Sequence, residues 1–483
     1  MAGIFKEYDI RGIYQTEISV ADAYIIGSSF AQFYKAKKLI VGRDGRLSSP
    51  VLHAALIRGI TDEGVDVIDV GLVSTPMLSF AITLFKKDGI MTTASHNPKQ
   101  YNGFKSVRKN LIPLTYSSDM YKIEKMYQLK KDTFAEENKA GKKLNKKEDN
   151  NKSNNRKNND NENDGDKHNK EKERNGKKKK VGRVYTQNIL SNYLSYLQKK
   201  FKKMKQISCI VDFSNGAGAI SKKAFDLLNI SHVKLFDTID GAFLAHEPNT
   251  MENAAFDLLQ KTVMLKKADL GVMFDGDADR VRFVDEKGVI VNNDLSFALL
   301  ARHAASKKKG NFFFDLRFSK SVFEEIKKLH CKPIMLRVGN PFYKKALLTK
   351  KRGIMGGELS GHIMYAENYA IDDALFCSLK MIEYLSSQKK KLSTLISELS
   401  VYAQSGEINV HVKNVDVSLA KIKNAFKKYK LLFVDGISVY GKDFWFNVRK
   451  SQTEPLVRIT VEADTKEQME RTVAEIKQLL LSS

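Results

Sequence analysis

The chain has 483 residues, 42% of them hydrophobic, and a formal net charge of +25. This length is sufficient for three or four domains with well-buried cores. No run of about 18 apolar residues occurs, so the sequence gives no membrane-spanning helix. A strongly basic balance favours nucleic acid or acidic membrane surfaces as partners, unless the charge is concentrated in one segment.

Much of the positive charge is indeed local. Residues 141–180 contain 15 lysine or arginine residues, 8 aspartate or glutamate residues and 11 asparagine residues, but a single apolar residue, Leu144. Such a segment cannot bury enough apolar surface to offset its conformational entropy, so we predict a disordered insertion over residues 129–183. It lacks the interleaved aromatic residues that would stack on bases, so we do not expect nucleic-acid binding.

The three cysteines, Cys209, Cys331 and Cys377, are far apart and lie in largely apolar stretches. Because their number is odd and their spacing wide, we predict reduced core residues. The N-terminus has no apolar signal region. Together these features predict a cytoplasmic protein.

Helical and strand patterns alternate along most of the chain. Before the insertion they predict helices over 21–38, 50–63 and 76–85 and strands over 39–41, 65–70 and 89–92. After it they predict helices over 187–203 and 219–228 and strands over 207–213, 233–236, 270–274, 281–284, 311–314 and 333–338. The last segment has strands from 408 and over 431–434, 444–449 and 456–461, with helices over 417–429 and 466–481. We therefore predict three similar α/β layered domains (1–128, 184–292 and 293–402) and a C-terminal α+β domain (403–483).

One serine stands at the end of a predicted strand. The stretch Thr92-Thr93-Ala94-Ser95-His96-Asn97-Pro98 follows the apolar pair Ile90-Met91. Ligands of layered α/β domains usually lie at the carboxyl ends of strands, and Pro98 prevents strand pairing from continuing. The pattern fits a rigid loop that exposes Ser95 to a ligand, but ordinary turns also use serine and asparagine.

Three carboxylates alternate in a second loop, Asp275-Gly276-Asp277-Ala278-Asp279-Arg280, directly after an apolar strand. Their mutual repulsion favours a bound cation, and all-oxygen ligation suits Mg²⁺. A calcium loop requires glycine at its sixth position, where this chain has Arg280. An acidic surface turn is the alternative.

Two further loops are polar. Gly356-Gly357-Glu358-Leu359-Ser360-Gly361-His362 places Glu358 and Ser360 two residues apart, where they can contact neighbouring sugar hydroxyls. Arg449-Lys450-Ser451-Gln452-Thr453-Glu454-Pro455, with Arg458 beyond, joins two strands and combines charge and hydroxyls as a phosphate cradle does. A capping loop and a surface hairpin remain the alternatives.

All four loops, in this order, resemble those of the α-D-phosphohexomutase family. The stretches Tyr8-Asp9-Ile10-Arg11-Gly12 and Tyr101-Asn102-Gly103-Phe104-Lys105 are similar to its bacterial phosphomannomutase/phosphoglucomutase branch. The resemblance covers nearly everything except the insertion. It implies a four-domain enzyme whose site lies in a central cleft, with hexose phosphates as substrates, Mg²⁺ as the metal, hexose 1,6-bisphosphate as intermediate and activator, and a monomeric or weakly dimeric state.

The resemblance also implies residue roles. Ser95 would be the phosphoserine, and Mg²⁺ would be held by Ser95, Asp275, Asp277 and Asp279. The reacting centre would be lined by Tyr8, Arg11, His96, Lys105 and Arg280. Sugar hydroxyls would be contacted by Glu358 and Ser360, and the non-reacting phosphate by Arg449, Ser451, Gln452, Thr453 and Arg458.

Lys105 is the candidate general acid or base, since we expect neighbouring cations to lower its pKa toward neutrality. Phospho-Ser95 would donate to hexose 1- or 6-phosphate, and the bisphosphate would turn around and return its other phosphate. Phosphoryl transfer of this kind is catalysed mainly by positioning and charge neutralisation.

The chain departs from the family pattern twice. Gly339-Asn340-Pro341 stands where Gly-His-Ser is expected, which puts turnover or sugar preference in question. Gln452 replaces an asparagine. Phosphoglucosamine mutase is an alternative, although it would carry glutamine at the position of Leu359. A non-catalytic sugar-phosphate sensor and a basic scaffold are alternatives of another class.

Overall fold

A computed structural model describes residues 3–133, 180–202, 204, 207–451 and 456–481. Most of the predicted insertion lies outside the described residues, as do Gln452 and Thr453. Within the described ranges no helix is both long and apolar enough to cross a membrane. All three cysteines are free, and Cys209 and Cys377 are buried, as predicted.

The first domain is built on one mixed sheet. Its strands are β1 (Ile10–Ile13), β2 (Lys38–Arg43), β3 (Asp66–Leu72), β4 (Gly89–Thr92), β5 (Tyr101–Val107) and β6 (Val184–Thr186). Its helices are α1 (Val20–Tyr34), α2 (Ser49–Asp62), α3 (Thr75–Phe85) and α4, described over residues 121–133. The strand order is β1-β5-β4-β2-β3-β6, in which β5 is antiparallel to both neighbours and β2 is parallel to β3 and β4.

The second and third domains each contain a four-stranded sheet. The second has β7 (Ser208–Asp212), β8 (Ser231–Leu235), β9 (Leu270–Phe274) and β10 (Val281–Asp285), with helices α5 (Leu190–Lys200), α6 (Lys223–Leu227) and α7 (Asp257–Lys266). The third has β11 (Asn311–Asp315), β12 (Lys332–Leu336), β13 (Gly353–Gly357) and β14 (Ile363–Tyr365), with helices α8 (Asn293–Lys307), α9 (Lys320–Lys328), α10 (Asn340–Thr349), α11 (Ala374–Ser386) and α12 (Leu392–Ser397).

The three sheets share one topology. The orders β10-β9-β7-β8 and β12-β11-β13-β14 repeat the order β5-β4-β2-β3 of the first domain. In each, three parallel strands are followed by a fourth that pairs antiparallel with the third. This repetition confirms the prediction of three similar α/β domains.

The fourth domain is α+β, as predicted. Its strands are β15 (Ala403–His411), β16 (Lys430–Leu432), β17 (Ile437–Tyr440), β18 (Phe444–Lys450) and β19 (Leu456–Ala463), and its helices are α13 (Val415–Ala425) and α14 (Lys466–Leu481). All pairs in the order β15-β19-β18-β17-β16 are antiparallel. The domain has a hydrophobic core of its own, whereas one continuous core joins the first three domains.

Several boundaries differ from the sequence prediction, and two of them have a clear local cause. Helix α1 ends at Tyr34 rather than Lys38, because Lys35 adopts a left-handed backbone conformation (φ 48°). Residues 129–133, assigned to the insertion, continue helix α4. They are held to the first domain because Lys130 pairs with Glu63 and Lys131 with Asp22, each at 2.9 Å.

Candidate active site

The three site loops of the α/β domains occupy equivalent positions. Each joins the third strand of its sheet to the antiparallel fourth: residues 93–100 between β4 and β5, 275–280 between β9 and β10, and 358–362 between β13 and β14. Strands β4 and β9 are buried along their whole length. The carboxyl ends of these buried strands therefore present the three loops, and their side chains meet across the domain boundaries.

Ser95 lies on a constrained loop and faces the second domain. Its backbone has φ 53°, a left-handed conformation that a non-glycine residue adopts only when its surroundings impose it. Its amide donates to Thr93 Oγ1 at 2.9 Å, and its hydroxyl donates to Asp275 Oδ2 at 3.1 Å. The serine is 99% buried within the described residues, so its neighbours restrict the direction of its hydroxyl.

A buried arginine that the sequence analysis did not assign holds this loop. The Arg46 guanidinium donates to the carbonyl oxygens of Ser95 and Asn97, both at 2.6 Å, and of Pro98 at 2.8 Å and Tyr101 at 3.1 Å. Asp44 pairs with Arg46 at 3.2 Å and accepts from Thr93 Oγ1 at 2.6 Å. One ion pair thus fixes the backbone on both sides of Ser95.

The three aspartates form a cluster that fits a divalent cation. One oxygen from each of Asp275, Asp277 and Asp279 lies within 4.8 Å of the others, and all three residues are buried. Asp277 Oδ1 is buried without a hydrogen-bond partner among the described residues, so it is available to a ligand. A set of three carboxylate oxygens matches the preference of Mg²⁺.

Charge repulsion within the cluster is visible in the pKa of Asp275. Burial raises this pKa well above its usual value, and the charges of Asp279 and Asp277 raise it further. A bound cation would remove this penalty. Thr75, at the start of helix α3, orients the cluster from the first domain: its hydroxyl donates to Asp277 Oδ2 at 2.6 Å, and its amide donates to the Asp277 carbonyl at 3.0 Å.

The surroundings of Lys105 correct one expectation. Its ammonium donates to Asp277 Oδ2 at 2.7 Å and to Asp279 Oδ2 at 2.6 Å. Burial alone would lower the pKa of Lys105, but the two carboxylates raise it above its ordinary value. The sequence led us to expect cations as the dominant neighbours, whereas the fold provides two anions, so Lys105 is protonated in this arrangement.

Arg280 and His362 connect the loop of the three aspartates, residues 275–280, to the loop of Glu358 and Ser360, residues 358–362. Arg280 Nε donates to His362 Nε2 at 3.2 Å, and the same His362 nitrogen lies 3.2 Å from Asp279 Oδ1. His362 Nδ1 lies 3.1 Å from Glu358 Oε2 and 2.8 Å from Ser360 Oγ. Burial raises the pKa of Glu358, but His362 and then Arg317 and Arg280 outweigh burial and lower it to about 2. The sequence pattern alone indicated no role for His362.

Arg11 and His96 lie beside the serine loop. Arg11 Nη1 donates to Asn97 Oδ1 at 2.7 Å, and Arg11 Nη2 pairs with Asp9. Burial, and then the charges of Arg280, Arg11 and Lys105, hold the pKa of His96 well below its usual value. His96 is therefore neutral near pH 7 and can contribute hydrogen bonds but not charge.

Tyr8 reaches the third domain at the loop that departs from the family pattern. Its hydroxyl donates to the Val338 carbonyl at 3.2 Å. Asn340, one of the unexpected residues, donates to Asp372 Oδ1 at 2.7 Å, and Lys344 pairs with Asp372 Oδ2 at 2.7 Å. The Asn340 amide is therefore engaged in a partly buried polar contact of its own domain.

The arginines of the C-terminal loop converge on a glutamate. Glu407 Oε2 accepts from Arg449 Nη2 at 2.7 Å and from Arg317 Nη1 at 2.9 Å, and Glu407 Oε1 accepts from Arg458 Nη1 at 3.1 Å. Ser451, two residues after Arg449, is buried. Arg449, Ser451 and Arg458 are thus on one edge of the fourth domain, facing Arg317 of the third.

A short repeated motif could have identified two of the residues that were missed. Asp44-Gly45-Arg46 and Asp315-Leu316-Arg317 both stand at the carboxyl ends of equivalent strands, β2 and β11. In both, the aspartate accepts the arginine amide (3.1 and 2.9 Å) and pairs with its guanidinium. Each aspartate also accepts a hydrogen bond from the neighbouring site loop: Asp44 from the Thr93 hydroxyl, and Asp315 from the Leu359 amide at 3.3 Å.

The fold consists of three repeated α/β units and one α+β unit, and a buried serine of the first unit faces three carboxylates of the second. This combination is that of an enzyme of the phosphohexomutase class. Family profiles match four consecutive segments, which together leave out residues 134–182. The phosphoglucomutase/phosphomannomutase alpha/beta/alpha domains I, II and III match residues 2–133, 183–288 and 292–402, and the C-terminal domain of that family matches residues 407–479.

Individual relatives are similar over nearly their full length. The chain is 36% identical to the phosphomannomutase of Methanocaldococcus jannaschii, covering 99% of this chain and 97% of the relative. It is 32% identical to the phosphomannomutase/phosphoglucomutase of Pseudomonas syringae pv. tomato, covering 97% and 93%. A crystal structure of a phosphoglucomutase/phosphomannomutase family protein from Burkholderia thailandensis superposes with a TM-score of 0.81 at 26% identity, covering 99% and 96%. The chain belongs to the phosphoglucomutase/phosphomannomutase family, whose members are phosphotransferases that act as isomerases.

Proposed function

We propose that this phosphohexomutase interconverts hexose 1-phosphate and hexose 6-phosphate by way of phospho-Ser95 and a hexose 1,6-bisphosphate. The observation that carries the proposal is the 3.1 Å contact of Ser95 Oγ with Asp275, at the junction of the first two domains. It directs the Ser95 hydroxyl, which is held on a rigid loop, at a cluster of carboxylates. A phosphoryl group on that hydroxyl requires the charge neutralisation that a metal and basic side chains supply.

Asp275, Asp277 and Asp279, with an oxygen on Ser95, would hold Mg²⁺. The ion would supply positive charge to the oxygens of the transferring phosphoryl group. Thr75 and Lys105 contact two of these carboxylates and keep them oriented toward Ser95.

The basic side chains would neutralise and position the transferring group. The bond between Ser95 Oγ and phosphorus breaks as the free sugar hydroxyl forms a bond to the same phosphorus, and the hydroxyl proton would pass by way of Lys105 to Ser95 Oγ. Arg280 and Arg11 would contact the phosphoryl oxygens, and neutral His96 would donate or accept a hydrogen bond. Lys105 is retained as the candidate acid or base; as a protonated group it would return a proton to Ser95 Oγ when that oxygen is the leaving group.

The sugar and the second phosphate would be held on the opposite side of the cleft. Glu358 is ionised at neutral pH and accepts from Ser360 at 3.0 Å, so the remaining lone pairs of both side chains would accept from neighbouring sugar hydroxyls. Tyr8 would close this side from the first domain. The non-reacting phosphate would be bound by Arg449, Ser451 and Arg458, with Gln452 and Thr453 of the same loop. One clamp must then serve both orientations of the bisphosphate.

We expect activity on both glucose and mannose phosphates, since relatives with either name or both match the whole chain. Glu358 and Ser360 would contact hydroxyls that the two sugars share. The cytoplasmic location and the monomeric or weakly dimeric state remain predictions from the sequence.

Turnover of glucose 1-phosphate and mannose 1-phosphate, with Mg²⁺ and a trace of hexose 1,6-bisphosphate, tests the proposal. We expect activity on both sugars, its loss in Ser95→Ala, and a phosphorylated Ser95 peptide by mass spectrometry. Ser29→Ala is the matched control, because Ser29 is a buried serine of the same domain whose hydroxyl donates within its own helix at 2.8 Å. Full activity of Ser95→Ala, or an intact protein inactive on both sugars, would contradict the proposal.

A further inference from the structure

Three arginines share one carboxylate at the junction of the third and fourth domains. Glu407 lies 2.9 Å from Arg317, 2.7 Å from Arg449 and 3.1 Å from Arg458. We call these four residues the arginine cluster. Arg449 and Arg458 are the residues that the proposed function assigns to the non-reacting phosphate.

The carboxylate of Glu407 is therefore in contact with the groups that a phosphate would use. The side chains of Arg449 and Arg317 are only 4% and 9% exposed, so solvent screens these charges weakly. Burial raises the pKa of Glu407, but Arg317 and then Arg449 outweigh burial and lower it to about 2. Glu407 is ionised throughout the neutral range.

Charge balance suggests what this arrangement does. Arg317 is also paired with Asp315, so the three guanidinium groups already face two carboxylates and keep one net positive charge. Without Glu407 they would carry two, which match a phosphate monoester carrying about −1.5 to −2 charges at pH 7. Phosphate would then bind more tightly, because charge-assisted hydrogen bonds are the strong ones.

We propose that Glu407 is a resident counter-anion that competes with phosphate for the arginine cluster and keeps its affinity low enough for release. This inference rests on the proposed function, in which the bisphosphate leaves the clamp, turns around and binds again through its other phosphate. A clamp that holds phosphate too tightly slows that step. Glu407 would thus limit affinity in favour of turnover.

A purely structural role for Glu407 predicts the opposite sign. If the carboxylate only positions the arginines, its loss lets them move apart, and phosphate binds more weakly. The direction of the affinity change therefore separates the two roles.

Calorimetric titration with inorganic phosphate, at fixed ionic strength and pH, measures this sign directly. We expect Glu407→Gln to bind phosphate about tenfold or more tightly than the unmodified protein, because the competing charge is gone while the shape is kept. Glu407→Asp keeps the charge but is shorter by one methylene, so it reaches fewer arginines and should bind phosphate a few-fold more tightly. Unchanged or weaker binding by the folded variants overturns the proposal.

The Asp variant alone decides the sign if Glu407→Gln does not fold. Glu398→Gln is the matched control: Glu398 pairs with Arg302 at 3.1 Å, and Arg302 otherwise binds Glu325 rather than a site residue. Its phosphate affinity should equal that of the unmodified protein, and a change would attribute the effect to net charge and overturn the specific role.

Turnover distinguishes failure of this inference from failure of the proposed function. In Glu407→Gln we expect both KM for the sugar phosphate and kcat to fall, because substrate is held tightly and the intermediate leaves slowly. A folded variant with a raised KM overturns the counter-anion role. If the unmodified protein has no mutase activity but Glu407→Gln binds phosphate more tightly, the proposed function fails while the counter-anion role stands.

Discussion

The guanidinium of Arg46 donates a 2.6 Å hydrogen bond to the carbonyl oxygen of Ser95. The two residues are 49 positions apart in sequence, and the contact forms because strands β2 and β4 are neighbours in the sheet. The Ser95 loop is thus held through its backbone by a buried cation. Arg46 is a positioning residue.

Replacing Arg46 by lysine should leave the fold largely intact and the reaction impaired. A lysine ammonium has three donors, so it cannot serve Asp44 and all four carbonyl oxygens that Arg46 binds. We expect kcat to fall about 100-fold, since a displacement of about 1 Å at a reacting group has that effect. The free energy of unfolding should fall by about 1–3 kcal/mol, because buried carbonyl groups lose their donors.

Arg43→Lys is the control, since Arg43 belongs to the same stretch but its guanidinium, among the residues that the structure describes, donates only to the Asp44 carbonyl, at 3.2 Å. Steady-state mutase kinetics and urea unfolding give the two quantities. Phosphorylation of Ser95 by hexose 1,6-bisphosphate, followed by mass spectrometry, separates a misplaced serine from a general loss of substrate binding. A lysine variant with unimpaired kcat would show that the carbonyl contacts do not orient Ser95.

Gly339→Ala should displace Tyr8 from the third domain. A Cβ atom at position 339 would lie 2.4 Å from the Tyr8 hydroxyl, and the backbone there has φ 135°, which disfavours any residue but glycine. We expect kcat/KM to fall more than tenfold, through a raised KM, and a stability cost of about 1–3 kcal/mol from backbone strain.

Gly71→Ala separates strain from collision. Gly71 also has a positive φ, 67°, but nothing lies within 4 Å of an added Cβ. It should lose stability without a change in KM. Equal KM values for the two variants would mean that the contact between Tyr8 and this loop does not contribute to substrate binding.

The parts of the site that could be predicted from sequence are those contained in one short stretch. The loops around Ser95, Asp275 and Glu358 each follow an apolar strand, and the strand pattern and the polar loop pattern are both local in sequence. Helix α14 likewise matches its predicted bounds of 466–481, because its apolar positions repeat with the helical period.

Contacts between domains could not be predicted in this way. Thr75 and Asp277 are separated by 202 residues, and their contact depends on how two domains pack. The same reason applies to Lys105: we expected cations around it in the assembled site, but the second domain brings two carboxylates to it. Strand β6 was missed because three exposed residues have no periodicity; it forms by pairing with β3.

Thr75→Val should weaken the binding of Mg²⁺. The substitution removes the hydroxyl that donates to Asp277 Oδ2 at 2.6 Å, while the amide contact to the Asp277 carbonyl remains. Residues that orient metal ligands typically contribute 10–100-fold to metal affinity, so we expect the Mg²⁺ concentration for half-maximal activity to rise about tenfold or more.

Thr75→Ser retains the hydroxyl and should remain close to the unmodified protein. Calorimetric titration of the protein with Mg²⁺, in the absence of substrate, checks that the effect is on metal binding and not on turnover alone. The role assigned to Thr75 would be wrong if Val and Ser gave the same Mg²⁺ affinity.

Glu407 should also make the junction of the third and fourth domains sensitive to acid. Its pKa in the folded protein is about 2, below the 4.5 of an unperturbed glutamate, because the opposing effect of burial is outweighed by Arg317 and then Arg449. A carboxylate with a depressed folded pKa contributes stability above its unfolded pKa, and that contribution is lost as the pH falls toward the folded value. At one pKa unit per 1.36 kcal/mol the contribution is at most about 3 kcal/mol, and we expect about half of it because the side chain is 24% exposed.

Trp445, the single tryptophan of the chain, lies in strand β18 of the fourth domain and reports its unfolding by fluorescence. Urea unfolding should show the unmodified protein more stable than Glu407→Gln above about pH 5, with the difference shrinking between about pH 5 and pH 2. Glu398→Gln again serves as control. A difference that stays constant across this range would mean that Glu407 stabilises the junction through its shape and not through its charge.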